Sequence, residues 1–364
     1  MDPWLEINLN NMAWNLAQIR KKVNNRPVMA VIKANAYGHG LVEVGKFLES
    51  HNIAFLAVGK FQEALELREG GVKSPVLNFG SFSTAEAKEI VRNNISQSIY
   101  TGDFMLLAET AKKQNTNAKV HIKVDTGLGR IGVPFYKALA LVEKIAATDG
   151  LTIEGIFTPL TEDVEFDKDQ LRRFLEVCET ARNRGISVGI RHIASSAGMI
   201  SFPDAYLDMI RPGIAIYGQY PSTREYNARR IDFRPVMALK TSVMYEKTLR
   251  TGESVSYHKA FVAEKETRVA TLSVGYSDGY PYQAAGKAEV LIGGKRWPSI
   301  ALVTSNHMTI DVTGSDDIKI GDEAVLFGRQ GENEITAEEL AAWAGTSVYK
   351  ILIWMNPLLA KEFV

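Results

Sequence analysis

The sequence predicts an α/β chain in two parts: a (β/α)8 TIM-type barrel over residues 1–231, then a mainly β domain over residues 232–364. Three observations predict it. Short β-rich runs alternate with amphipathic helical stretches through the first two thirds, which implies parallel strands joined by crossover helices. The runs number eight, the count that closes such a barrel, and about 200 residues suffice for a compact one. After Ile231 the alternation stops, and strand-like runs recur between glycine-containing turns.

The eight runs are Pro27–Lys33, Ala54–Val58, Pro75–Phe79, Ile95–Tyr100, Lys119–Asp125, Leu151–Phe157, Ile190–Ser195 and Asp208–Tyr217. Between them, Leu41–Glu49, Ala85–Arg92, Phe135–Ala147 and Leu171–Arg184 place apolar residues three and four apart, the spacing of one helix face. Gly70-Gly71, Asn93-Asn94 and Gly185 stand where helices should stop. In the second part the strand-like runs are Val236–Leu249, Glu253–Val262, Arg268–Tyr276, Ala288–Ile292, Ser299–Val312 and Ala324–Phe327, and only Ala337–Ala344 reads clearly as helix. The early run Trp4–Leu9 precedes the first barrel strand, so residues 1–10 are expected to pack with the β domain. An open doubly wound sheet would carry a glycine-rich turn after its first strand, and Ala34–Gly40 (ANAYGHG) has the wrong pattern for it.

Composition narrows the function classes. The chain has 364 residues, 46% hydrophobic and 23% charged, which is ordinary globular usage. Forty-two basic residues balance forty-two acidic ones, against the basic excess of a general nucleic-acid binder. The single cysteine, Cys178, cannot form an internal disulfide and fits a reducing compartment. The start lacks the pattern of a signal peptide, and no apolar run approaches the roughly 20 residues of a membrane helix. A cytoplasmic location is the expectation. The six histidines form no dense cluster and no H-E-x-x-H motif, so no metal site is expected. Glu162–Asp169 (EDVEFDKD) reads as a solvated loop.

Barrel active sites lie at the C-terminal ends of the strands. Lys33 ends the first run. Burial there would lower its pKa and free a neutral amine as nucleophile, whereas a lysine projecting into water would do nothing. After the fifth run, Lys123-Val124-Asp125 leads into Thr126–Gly132 (TGLGRIG), which holds a G-x-G-x-x-G spacing. That fingerprint opens a dinucleotide-binding unit and does not follow a fifth strand, so it is set aside. Arg130 within it could grip a carboxylate with two hydrogen bonds, or simply be a surface arginine. Ser195-Ser196 after the seventh run and Arg211-Pro212-Gly213-Ile214 in the eighth supply donors where barrels often hold phosphate. A nucleophilic lysine beside a phosphate site suggests pyridoxal 5'-phosphate (PLP), with an arginine or an acid facing its ring nitrogen.

Ala30–Gly40 (AVIKANAYGHG), Val124–Gly132 (VDTGLGRIG), Ile210–Gly218 (IRPGIAIYG), Val255–Tyr257 (VSY) and Val274–Tyr280 (VGYSDGY), in this order, resemble the bacterial alanine racemases. These are PLP enzymes with a barrel and a β domain that supply D-alanine for cell-wall peptidoglycan. The resemblance covers nearly the whole chain. It implies that Lys33 holds PLP and acts as one base. Tyr37, Ser196, Gly213 and Ile214 would hold the phosphate, and Arg211 would face the pyridine nitrogen. Arg130 would orient the substrate carboxylate, beside Lys123, which matches a lysine often carbamylated in the family. Tyr257 matches the second base, contributed by the partner subunit of a head-to-tail homodimer, and Tyr276 a tyrosine at the entrance. Two bases suit racemisation, because one group removes the α-proton from one face while the other returns a proton to the opposite face.

The chain also departs from the family. Phe157-Thr158-Pro159 puts Pro159 where a histidine is common, and Thr304-Ser305-Asn306 replaces Cys-Met-Asp. Asn306 therefore stands for an aspartate, and Ser305 at a place where a backbone group contacts substrate. Asn356-Pro357-Leu358 matches poorly around a position that is often tyrosine. These changes lie near the second base and substrate and spare the cofactor half. They leave open a racemase of another or broader substrate range, such as serine, or a PLP-binding protein of low activity.

Overall fold

The computed structural model describes residues 2–364. They form two compact units. One comprises residues 13–36 and 41–234; the other comprises the N-terminal stretch through Met12, the short loop Tyr37–Gly40, and Pro235–Val364.

The first unit is the barrel. Seven parallel strands lie in sequence order: Met29–Val31, Phe55–Val58, Val76–Asn78, Ser96–Ile99, Ala118–Asp125, Leu151–Phe157 and Ile190–His192. Most are nearly continuous buried runs, as strands covered on both faces must be. The eighth segment closes the ring through its hydrogen bonds. Asp208 N donates to Arg191 O (3.1 Å) and Arg211 N to Ala194 O (2.8 Å) on one side. On the other, Met29 N donates to Ile210 O (2.9 Å) and Val31 N to Pro212 O (2.9 Å). The expected strand Asp208–Tyr217 is therefore shorter, because Ile214–Tyr217 turns into a 3-10 helix.

The crossover helices bury the predicted faces. In Thr84–Arg92 the buried residues are Ala87, Ile90 and Val91, and Ser83 caps the start, its Oγ accepting from Glu86 N. One expectation is corrected. Of the charged stretch 162–169, only Glu162 and Asp163 lie in a loop; the rest opens the helix Val164–Asn183. Asp163 caps it by accepting from Phe166 N at 3.0 Å. Asp167 is buried and accepts from Thr161 N (3.0 Å) and Glu162 N (3.2 Å). The acidic residues suit the positive end of the helix dipole.

The second unit is built on a nine-stranded sheet. Its long strand Met237–Leu249 pairs with Trp4–Ile7, Thr267–Leu272 and Glu323–Gln330. Trp4–Ile7 runs antiparallel to it and parallel to the last strand, Ala360–Phe363. Beside the expected helix, seen as Ala337–Trp343, a second helix spans Val348–Ile353.

Candidate active site

Lys33 does not end a strand. It opens a left-handed turn in which Ala34, Asn35, Ala36 and Tyr37 all have φ between 52° and 55°. Each such residue costs about 1–2 kcal/mol without glycine's freedom, so the turn needs support from its surroundings. Within the barrel unit, Glu63 supplies it. Its Oε1 accepts from Asn35 N (3.3 Å), and its Oε2 from Gly59 N (2.9 Å) and Lys60 N (3.1 Å). The Asn35 side chain closes the loop by accepting from Leu41 N at 2.8 Å. Burial first, then the charge of Arg130, lowers the Lys33 pKa against the opposing pull of Glu63. A larger share of its amine is thereby neutral near neutral pH.

Lys123 stands on the fifth strand, with Nζ 5.9 Å from the centre of the Phe157 ring. Burial, followed by the charges of Arg130 and Arg211, pushes it down to about 8. The loop behind it is shaped by Asp125, whose Oδ1 accepts from Gly127 N (2.9 Å) and Gly129 N (3.1 Å). Gly132 is obligatory there, since a Cβ would lie 2.7 Å from Asp125 N at a φ of +150°. The G-x-G-x-x-G spacing thus serves a carboxylate-capped turn that presents the exposed Arg130.

Arg211 is buried, and burial drives its guanidinium down to about 9. It donates to the main-chain carbonyl and Nδ1 of His192 (3.1 Å to Nδ1) and to Thr158 O (3.1 Å), all neutral acceptors. Its centre lies 5.2 Å from that of the Phe157 ring. At the ends of strands seven and eight, Ser196 Oγ accepts from Gly213 N (3.0 Å) and Ala215 N (3.3 Å), which brings Ser196, Gly213 and Ile214 together.

The barrel thus gathers Lys33, Lys123, Arg130 and Arg211 within electrostatic reach, a cation cluster that calls for an anionic ligand. A nucleophilic amine, buried guanidinium and hydroxyl–amide cluster fit PLP. Pro159 contributes no side-chain donor, but its carbonyl accepts from Gln170 Nε2 (3.2 Å).

The remaining predicted residues stand in the β unit. Tyr37 is buried with its ring centre 6.2 Å from that of Tyr349, and burial pushes its hydroxyl pKa up. Tyr257 is 68% exposed on the 3-10 turn Tyr257–Lys259. Tyr276 is also exposed. Ser305 O accepts from Ser277 N (3.0 Å) and Ser277 Oγ (2.6 Å), and Asn306 Nδ2 donates to Ser277 Oγ (2.9 Å). Gly275 permits this contact, because a Cβ there would lie 2.2 Å from Thr304 O.

Sequence reading missed Glu63, and with it His121, Glu154 and His192. The two histidines, 71 residues apart, meet at 2.8 Å inside the barrel. The signal available was strand phase, since His121 and Lys123 share one face of the fifth strand.

Residues 7–221 match the family described as "Alanine racemase, N-terminal domain", and residues 236–362 the corresponding C-terminal domain. The chain belongs to the alanine racemase family. It is 36% identical to "Alanine racemase" of Clostridium tetani over 99% of this chain and 95% of that protein. The protein of the same name in Desulforamulus reducens is also 36% identical, over 99% and 98%. Among solved structures, alanine racemase of Clostridium difficile 630 superposes with a TM-score of 0.94 at 31% identity, covering 100% of this chain and 96% of that one. The Bacillus anthracis alanine racemase with bound L-Ala-P gives 0.91 at 28%, covering 100% and 95%. The alanine racemase family is PLP-dependent, and PLP is the cofactor.

Proposed function

We propose that this chain interconverts L- and D-alanine, with Lys33 and Tyr257 as the two bases. The observation that carries the reading is the full-length family match combined with Lys33, whose amine burial and Arg130 together bias toward the neutral form. PLP, when bound, spreads the charge left on the substrate's α-carbon as its proton departs. Lys33 Nζ holds the cofactor and moves the proton on one face. Tyr257 Oη, contributed by the partner of a homodimer, moves it on the other. Its exposure on the β unit supports a role toward a second chain. Arg130 orients the substrate carboxylate, beside Lys123, whose partly neutral amine suits carbamylation. Tyr37, Ser196, Gly213 and Ile214 hold the phosphate, and Arg211 faces the ring nitrogen. Ser305, Asn306 and Tyr276 border the substrate. Among the described residues no helix is long and apolar enough to cross a membrane, and a cytoplasmic site of action supplying cell-wall precursors fits the reaction.

The test is exchange. Purified protein with PLP is given a panel of L-amino acids in D2O, and α-deuteration and chirality are read together. Deuterated D-alanine as the fastest product is expected. Faster turnover of serine would reassign the substrate, and no exchange with any amino acid would overturn the racemase reading.

A further inference from the structure

A line of hydrogen bonds crosses the barrel interior from Arg211 toward the opposite end of the strands. Arg211 Nη1 lies 3.1 Å from His192 Nδ1, His192 Nε2 lies 2.8 Å from His121 Nδ1, and His121 Nε2 lies 3.2 Å from Glu154 Oε2. Glu154 is 17% exposed, carries Lys119 Nζ at 3.6 Å, and accepts from Ser96 Oγ.

The direction of the bonds follows from the two ends of the line together, a donor-only guanidinium and an acceptor-only carboxylate. A guanidinium only donates, so His192 Nδ1 must be the bare nitrogen. A neutral imidazole then has its proton on Nε2, which donates to His121 Nδ1. His121 in turn carries its proton on Nε2 and needs an acceptor there, which Glu154 provides. Run in reverse, the chain would set an imidazole N–H against the guanidinium. Burial, the charge of Arg211 and His121 hold His192 well below its ordinary pKa. Burial also lowers that of His121, outweighing its carboxylate partner. For Glu154, burial opposes ionisation, but the hydrogen bonds of His121 and Ser96 prevail and lower its pKa.

The surroundings are built for this arrangement. His192 stacks on Phe157 with ring centres 5.0 Å apart and planes 9° from parallel. His121 meets Phe55 edge-on at 5.7 Å. A Cβ at Gly155 would fall 2.4 Å from His121 Nδ1, so only glycine leaves the imidazole its place.

We propose that Glu154 is a positioning residue for Arg211: through His121 and His192 it fixes both imidazoles as Nε2–H tautomers, leaving His192 Nδ1 as the acceptor that anchors the guanidinium. The consequence for turnover rests on the reading that Arg211 faces the cofactor ring; the tautomers do not.

The test begins on 15N-histidine-labelled apoprotein, with ring nitrogens read by multiple-bond NMR and assigned with single-histidine variants. Wild type is expected to show both His121 and His192 as neutral Nε2–H forms, and an Nδ1–H form at either overturns the proposal even if no variant folds. Glu154→Gln keeps an acceptor oxygen and should keep both tautomers. Glu154→Leu removes it, leaves the buried His121 Nε2–H without an acceptor, and should bring a detectable Nδ1–H fraction into both rings against the pull of Arg211. Tautomer populations in a folded Glu154→Leu protein identical to those of wild type would also overturn the proposal. In the PLP-loaded enzyme, Glu154→Leu should lower kcat roughly 10- to 100-fold, the range for outer carboxylates that orient histidines, and Glu154→Gln less. A tautomer shift with unchanged kcat would uphold the relay and refute the placement of Arg211 at the ring.

Discussion

Glu63→Ala removes the support of a left-handed turn, and its cost can be worked from the hydrogen bonds. Four consecutive non-glycine residues with positive φ carry roughly 4–8 kcal/mol of backbone cost at about 1–2 kcal/mol each. The Glu63 carboxylate offsets part of it by accepting three main-chain N–H groups, two at 2.9 and 3.1 Å and one at 3.3 Å. The side chain is only half-buried, so each bond is taken at about 0.5–1 kcal/mol, the low end of the range. The sum is a loss of about 2 kcal/mol, or roughly a 30-fold rise in local opening. Urea denaturation of the apoprotein should register the loss, and amide hydrogen exchange should quicken most at Asn35, Gly59 and Lys60. Glu63→Gln presents an acceptor to one side only and should lose about half as much. A change below about 0.5 kcal/mol, with exchange at those amides unaltered, would refute the claim that Glu63 holds the turn.

Three further predictions concern the site. Mixing Lys33→Ala with Tyr257→Phe protein and allowing subunits to exchange should restore alanine racemisation through one complete site per mixed dimer; no recovery after proven exchange would place the two bases in one chain. By 13C NMR of reductively methylated protein, Lys123 should titrate near pH 8, and Arg130→Leu should move that midpoint upward. The sign for stability follows: from about pH 8 toward 10.5 the unfolded chain holds a proton on Lys123 that the folded chain has lost, so this residue adds stability as pH rises there. A midpoint near 10.5 would refute the burial argument. Finally, Pro159→His with Asn306→Asp should raise alanine interconversion about tenfold with PLP affinity unchanged, a fraction of the 10²–10⁴ that a positioned base contributes; an unchanged rate and pH profile would mark the two departures as neutral.

The barrel was legible because parallel strands covered on both faces are largely apolar, and a run such as Ala54–Val58 stands out between amphipathic helices. Arg130, Arg211 and Ser196 were legible by their places relative to such runs: Ser196 directly follows the seventh, Arg211 lies within the eighth, and Arg130 stands in the loop after the fifth. The shape of the Lys33 turn was not. Ala34, Asn35 and Ala36 carry no glycine to announce positive φ, and the carboxylate that steadies them lies 28 residues away from Asn35. Residues 162–169 read as loop because exposed charges outnumber the one buried acid, Asp167. The His121–Glu154–His192 line escaped notice because its members stand on three strands and meet only when the barrel closes.

The edge of the β sheet has a consequence for the order of events on the ribosome. Trp4–Ile7 emerges long before one of its neighbours, Ala360–Phe363. The opening segment waits with both sides of its main chain unmatched until its antiparallel neighbour begins at Met237, and with one side unmatched until Ala360–Phe363 follows. Contacts between residues so distant along the chain are the slow ones to form. Until Ala360–Phe363 emerges, the nascent protein carries an open strand edge that invites pairing with other chains, and the stretch between Trp4 and Ile7 is one that a holding chaperone would shield.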